Sequence, residues 1–326
     1  MESELLSETS FTYDKHVNER FPTVGVIGAG QLARMMVAPA ASLGIKLHLF
    51  AQNPGDSGAQ IAPHVIGDYR DLQALKEFAA QCDLITFEDE LVPLSVIKGL
   101  ESAGVRVYPS STAFVYWQDL EKLEARPHSY DYLIAVMVAR SPHGQATSWT
   151  PTEIIQEVVI GTLTIAPARK ITEELSTRAQ KMALDIANTI KVVGVMTVQM
   201  YVSGEEVFIK SVSMGPHESG MWTIDAARTS QFEQHLRAVL DLPLGDPGMT
   251  YEFAVTRNFF GADKTDMYRP YLHLMARNPD LKFHQYMNEI ESGSPVGHVT
   301  ASGSNLQKLI DDVDHACDYM SGVIDE

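Results

Sequence analysis

The sequence predicts an α/β protein whose amino-terminal part contains a parallel, doubly wound sheet. Short apolar runs typical of buried strands alternate with helical stretches, and a glycine-containing turn links the first strand, 24–27, to the first helix, 31–43. Strands and helices that alternate at this spacing are typical of βαβ units. The same alternation continues to about Ser110, with further strands predicted at 46–50, 64–66, 83–87 and 105–108 and helices at 72–80 and 92–103.

Beyond residue 112 the pattern changes toward longer strands. A strand is predicted at 132–139, and a turn at 141–144 leads into a short extended segment at 146–149. Apolar residues recur with helical spacing over 171–190, which predicts a long amphipathic helix. Strands at 194–202 and 206–212 are joined by Ser203-Gly204, a hairpin signal. The last predicted elements are a helix at 230–240, strands near 253–257 and 297–300, and a final helix with an apolar face formed by Leu306, Ile310, Val313, Cys317 and Met320.

Composition and charge exclude several classes of protein. The 326 residues include 42 acidic and 25 basic side chains, so the net charge is −17, which repels a phosphate backbone and argues against a nucleic-acid partner. Two cysteines cannot form a disulfide framework, and no apolar run approaches the ~20 residues that span a bilayer. We therefore expect a cytoplasmic protein with no membrane partner. Residues 1–21 are polar and predict a disordered tail.

The clearest local motif is the glycine turn Gly28-Ala29-Gly30 between the first strand and the first helix. Small residues allow a tight turn there, and the amino terminus of a helix can hold an anion. A dinucleotide site also needs an acidic residue after the second strand, but Ala51-Gln52 stands there, which disfavours NAD. The residues by themselves therefore predict a ligand site at a glycine turn and leave the reaction open.

Longer stretches resemble a known family. Segments 25–36, 67–71, 87–93, 165–168 and 297–300, and above all the run from Trp222 to Asp246, are similar to N5-carboxyaminoimidazole ribonucleotide synthetase, the PurK family of ATP-grasp enzymes, in its actinobacterial form. The resemblance extends from Thr23 to about Gly322. It implies a Rossmann-like domain at 22–112, an ATP-grasp core at 113–250, a small carboxy-terminal domain at 251–326, and a homodimer.

The resemblance also implies a reaction, in which ATP, Mg²⁺ and bicarbonate form carboxyphosphate and aminoimidazole ribonucleotide is then carboxylated. The chain departs from the family where this chemistry would occur. Several dozen residues of the mobile lid are missing after Leu120, which itself replaces a phosphate-binding lysine. Gln199 and Ser211 stand where the family has two carboxylates that hold Mg²⁺, and the stretch 288–295 lacks the basic residues that bind the substrate phosphate. The predicted ATP-grasp core is therefore truncated.

These departures predict a repurposed, neofunctionalised protein of specialised metabolism that needs no ATP, metal or other cofactor. Because apolar groups replace polar ones, its ligand would be a neutral, largely apolar small molecule, processed by cyclisation, dehydration or isomerisation. The alternatives are a non-catalytic pseudoenzyme that binds a partner and a genuine synthetase of purine biosynthesis. Candidate catalytic residues are Glu153, Glu157, His217 and Glu218. Candidate ligand contacts are Gln31, Tyr116, Trp117, Gln199, Met221, Trp222, Met287 and His298.

Overall fold

A computed structural model describes residues 21–88, 90–121, 127, 129–157, 161–261, 268–287 and 295–324. The predicted tail therefore lies outside the described residues, apart from Phe21. Most of the stretch 288–295 that the resemblance assigned to substrate phosphate also lies outside them.

The predicted amino-terminal sheet is confirmed. Its four strands are parallel in the order β3-β2-β1-β4, where β1 is Thr23–Ile27, β2 is Lys46–Ala51, β3 is His64–Ile66 and β4 is Leu84–Phe87. The helices α1 (Gln31–Ser42), α2 (Leu72–Ala79) and α3 (Leu94–Ser102) alternate with these strands. Apolar side chains on both sheet faces are buried, as expected for a sheet covered by helices.

The prediction of a strand at 105–108 in the amino-terminal sheet is wrong. The segment 105–108 forms a single parallel bridge between Val107 and Ile85 and no ladder. Pro109 follows at once and has no N–H to donate to a neighbouring strand. Helix α4 (Ser111–Glu121) then begins two residues later, so the chain leaves the sheet before a ladder can form.

The second sheet is antiparallel and contains nine strands among the described residues. Eight of them follow the order β10-β9-β5-β7-β8-β11-β13-β12, and β6 pairs with β5. Their bounds are Tyr132–Arg140 (β5), Ala146–Ser148 (β6), Thr152–Glu157 (β7), Gly161–Ala166 (β8), Gly194–Ser203 (β9), Glu206–Met214 (β10), Phe253–Phe260 (β11), Lys282–Gln285 (β12) and Pro295–Gly303 (β13). Strands β7, β8 and β12 were not predicted.

Helices cover this second sheet. They are α5 (Glu173–Ile190), the one-turn α6 (Thr223–Ala226), α7 (Gln231–Val239), α8 (Pro270–Arg277) and α9 (Leu306–Met320), with a 3-10 helix at Glu218–Gly220. Helix α5 packs on alternate residues of β5 and β9, and the intervening residues of these strands face the other side of the sheet. Strands β11 to β13 continue the sheet of β5 to β10, and our division of the chain at residue 250 stays a proposal.

No helix among the described residues is both long enough and apolar enough to cross a membrane.

Candidate functional site

Four of the predicted site residues are brought together where the two sheets meet. Gln31 is the first residue of α1, Gln199 lies in the middle of β9, and His217 and Glu218 begin the 3-10 helix that follows β10. The Gln31 Nε2 donates to Glu218 Oε1 at 3.0 Å, and His217 Nε2 lies 3.3 Å from Gln199 Nε2. All four side chains are half-buried, so they line a surface that solvent reaches.

His217 is held rigidly at this surface. Its backbone N–H donates to Gln231 Oε1 at 2.9 Å, and its carbonyl accepts from Gln231 Nε2 at 2.7 Å. Its ring Nδ1 accepts from the backbone N–H of Ser219 at 3.1 Å. Burial, together with the positive charge of Lys210, lowers the pKa of His217 to about 4, so the imidazole is neutral at pH 7.

Lys210 is a site residue that the sequence reasoning missed. Its ammonium Nζ donates to Gln199 Oε1 at 2.9 Å. Strands β9 and β10 shift register between Ile209 and Ser211, so Lys210 is the extra residue of a β-bulge. Bulges occur next to active sites, where they redirect a side chain. Two polar residues follow one another at Lys210-Ser211 and break the alternation of β10, and this was the available signal in the sequence.

The glycine turn is occupied by one of the protein's own carboxylates. Glu88, which follows β4 and is 7% exposed, accepts from the backbone N–H groups of Gly30, Leu32 and Ala33 at 2.5, 3.0 and 3.3 Å. These are the groups with which the start of a helix binds an anion. Glu88 therefore satisfies the free N–H groups of the turn, and an external ligand there stays a prediction.

Glu153 lies away from this surface. It faces Ile134 across the β5–β7 ladder, on the face that packs on α5, whereas Gln199 faces Ala135 on the other side. Its carboxylate is 3% exposed and receives three hydrogen bonds from Arg169, at 2.5 to 3.0 Å. Burial raises the pKa of this carboxyl, but the bonds and charge of Arg169 outweigh it and lower the pKa. The structure therefore gives Glu153 an ion pair rather than a position in the site.

The structure does not bring the remaining aromatic and apolar candidates to the site. Met221, Trp222 and His298 are fully buried. The indole Nε1 of Trp222 donates to Thr152 Oγ1 at 2.9 Å, and Nδ1 of His298 lies 2.9 Å from the hydroxyl of Tyr286. These side chains have no surface with which to touch a ligand.

The four other candidates lie elsewhere in the fold. Tyr116 in α4 is 49% exposed and Met287, with a left-handed φ of 59°, is 55% exposed. Trp117 lies in α4 and Glu157 ends β7 opposite Gly161, but their side chains lie outside the described residues. Their assignment to the site stays a prediction.

The residues present do not fit the Mg²⁺ that the family resemblance implies. Gln199 and Ser211 are direct neighbours across the β9–β10 ladder, as two ligands of one ion would be. Both are neutral, and the ammonium of Lys210 already occupies the oxygen of Gln199. Mg²⁺ prefers carboxylate and phosphate oxygens, and no group of three or more His, Cys, Asp or Glu side chains in the described part of the chain could hold a metal ion.

The comparisons with known proteins decide the family. A ribonucleotide synthetase preATP-grasp domain matches residues 21–118, and an ATP-grasp domain matches residues 126–232. The N5-carboxyaminoimidazole ribonucleotide synthase of Mycobacterium tuberculosis is 32% identical over 377 aligned positions, which cover 92% of this chain and 88% of that protein. The chain belongs to the N5-carboxyaminoimidazole ribonucleotide synthase family.

One further sequence relative agrees with the family, and two solved structures show the same fold. The synthase of Corynebacterium ammoniagenes is 28% identical, with 92% of each chain covered. The solved structure of the Thermus thermophilus synthetase superposes with a TM-score of 0.80 at 24% identity, over 93% of this chain and 99% of that one. That of Aspergillus clavatus, in complex with ADP and 5-aminoimidazole ribonucleotide, gives 0.81 at 22% identity, over 92% of this chain and 99% of that one. The preATP-grasp and ATP-grasp architecture is thereby confirmed.

These relatives overturn the expected function. A repurposed, ATP-independent protein and a pseudoenzyme are both contradicted, because sequence relatives that align over most of this chain are named as synthases of one reaction. The expectation treated Gln199 and Ser211 as separate losses. It ignored Lys210, which precedes Ser211 in β10 and donates to Gln199. An apolar ligand also disagrees with the site, which is formed by an ammonium, a carboxylate, two amides and an imidazole.

Proposed function

We propose that this protein is a genuine N5-carboxyaminoimidazole ribonucleotide synthase, which uses ATP to carboxylate aminoimidazole ribonucleotide. The observation that carries the proposal is the similarity to the mycobacterial synthase over most of both chains. The similarity includes both matched domains, so it is not the trace of one shared nucleotide-binding module.

The position of the site supports this proposal. The carboxyl ends of β1 and β4 lead into the glycine turn and Glu88, and Glu90 Oε1 accepts from the backbone N–H of Met214 at 2.6 Å, at the end of β10. In open α/β sheets ligands bind outside the carboxyl ends of the strands, where the strand order reverses. The order β3-β2-β1-β4 reverses between β1 and β4, so the site lies beside this point.

The side chains at the site offer hydrogen-bond donors, one proton acceptor and one neutral imidazole. Lys210 and Gln199 supply N–H groups that can bind phosphate oxygens, and positioned donors stabilise the charge that develops in phosphoryl transfer. Glu218 is a carboxylate oriented by Gln31, and it can accept the proton that an amine loses when it is carboxylated. His217 is neutral and donates or orients rather than carrying charge.

The proposal also includes the homodimer that the family resemblance implies. Light scattering during size-exclusion chromatography measures the mass directly. A particle of twice the 36.0 kDa chain mass supports the dimer, and a particle of one chain mass contradicts it.

A turnover assay tests the function. The full chain is incubated with ATP, bicarbonate and aminoimidazole ribonucleotide, and ADP release and the carboxylated product are measured. We expect ADP release that depends on the ribonucleotide and yields one product molecule per ADP. Glu218→Gln is expected to reduce turnover, whereas Glu77→Gln, an exposed glutamate on α2, leaves it unchanged. Absence of ribonucleotide-dependent ADP release from folded protein would refute the proposal.

A further inference from the structure

The bulge in β10 places a charged donor beside the neutral side chains of Gln199 and Ser211. Ile209 is opposite Met200 and Ser211 is opposite Gln199, so Lys210 has no partner position in β9. Its Nζ nevertheless reaches Gln199 Oε1. Gln199 is the single hydrogen-bond partner of this ammonium among the described residues, and none of their carboxylates neutralises it.

Hydrogen-bond directions show that this cluster has more donors than acceptors. The backbone N–H of Ser219 points at His217 Nδ1, so Nδ1 accepts and the proton of the neutral ring lies on Nε2. That N–H faces Nε2 of Gln199, which is also a donor, at 3.3 Å. Rotating the Gln199 amide by half a turn would instead direct its NH₂ group at the Lys210 ammonium. Neither orientation gives an acceptor to both neighbours.

The cluster is open to a ligand that could supply the missing acceptor. Gln199 is half-buried, although its chain neighbours Val198 and Met200 are fully buried. Lys210 and His217 are half-buried as well, and Ser211 adds a hydroxyl directly opposite Gln199. Partly desolvated donors bind an anion more strongly than fully hydrated ones do.

We propose that Lys210, Gln199 and His217 form an oxyanion site that binds a phosphate group directly, with the lysine ammonium supplying the positive charge for which the family uses a metal ion. The site accepts oxygens that carry negative charge, because every group it offers is a donor. The inference rests on the proposed function only for the source of the phosphate, which would be the nucleotide.

Calorimetric titration with tripolyphosphate in excess EDTA tests this site without turnover. We expect the wild-type protein to bind tripolyphosphate in the absence of divalent cations. Lys210→Met should weaken binding roughly ten-fold or more, because it removes a charge-assisted donor. Lys181→Met removes an equal charge from the exposed face of α5 and is expected to leave binding unchanged.

A second variant keeps the test valid if Lys210→Met unfolds the protein. Gln199→Glu has nearly the same shape and gives Lys210 a carboxylate partner, so it should also abolish binding in EDTA. Wild-type binding that needs Mg²⁺, or that neither variant weakens, would overturn the oxyanion site. A folded enzyme without turnover that still binds tripolyphosphate through Lys210 would refute the proposed function alone.

Discussion

A buried histidine predicts how the stability of this protein depends on pH. His235 in α7 is fully buried, and Nδ1 of its ring accepts from the backbone N–H of Val195 at 3.1 Å. The proton of the neutral ring therefore lies on Nε2, which donates to Thr86 Oγ1 at 2.8 Å. The ring fits beside Gly194, where a Cβ would lie 2.8 Å from its Cε1. His235 thus connects α7 to β4 and to the start of β9.

The magnitude follows from the difference between the folded and unfolded states. Burial lowers the pKa of His235 to about 4, against about 6.5 in an unfolded chain. The unfolded state therefore binds the proton first, and the folded state loses relative stability as the pH falls from about 6.5 toward 4. At pH 5 the unfolded histidine is protonated and the folded one is mostly neutral, so the loss is about 2 kcal/mol relative to pH 7.

Urea unfolding at a series of pH values measures this effect. His235→Asn keeps an acceptor for Val195 but does not titrate, so its unfolding free energy should fall by about 2 kcal/mol less than that of the wild type between pH 7 and pH 5. Equal losses in the wild type and His235→Asn would refute the reasoning.

Three further stability predictions are measured by the same urea titration at pH 7. Arg169→Met should cost about 3 kcal/mol, because the buried carboxylate of Glu153 loses its charged partner, and the double variant with Glu153→Gln should recover part of this loss. Glu88→Gln should cost about 1–2 kcal/mol, since the start of α1 loses an ionised acceptor; an unchanged midpoint would contradict this role. Trp222→Phe should cost about 1–3 kcal/mol, because the buried Thr152 hydroxyl loses its hydrogen-bond donor. A cost at the low end of this range, and no larger than the cost of Phe232→Leu, would argue against the hydrogen bond.

The family resemblance named positions in the sequence, and four of them lie together in the structure, although their role in a site stays a prediction. Gln31, Gln199, His217 and Glu218 meet as candidates should, although Gln31 and Glu218 are 187 residues apart. Glu153 did not, because its strand pairing directs it to the opposite face of the sheet from Gln199. A substitution pattern alone could not separate these two outcomes.

The expectation of lost chemistry failed for a related reason. It counted Gln199 and Ser211 as neutral replacements and passed over the residue between Ile209 and Ser211. Only the register shift in β10 brings Lys210 toward Gln199, and register shifts depend on the pairing of two strands rather than on the residues of one.

The sequence by itself determined the α/β class, most helices and strands, and the family, because periodicity and long shared runs are local properties of the chain. The tertiary structure alone decided that Glu88 occupies the glycine turn, that Glu153 pairs with Arg169, and that Lys210 charges the site. Each of these depends on contacts between residues distant in the sequence, whose energies are set by burial and by the direction of hydrogen bonds. Such properties exist only once the two sheets have been brought together.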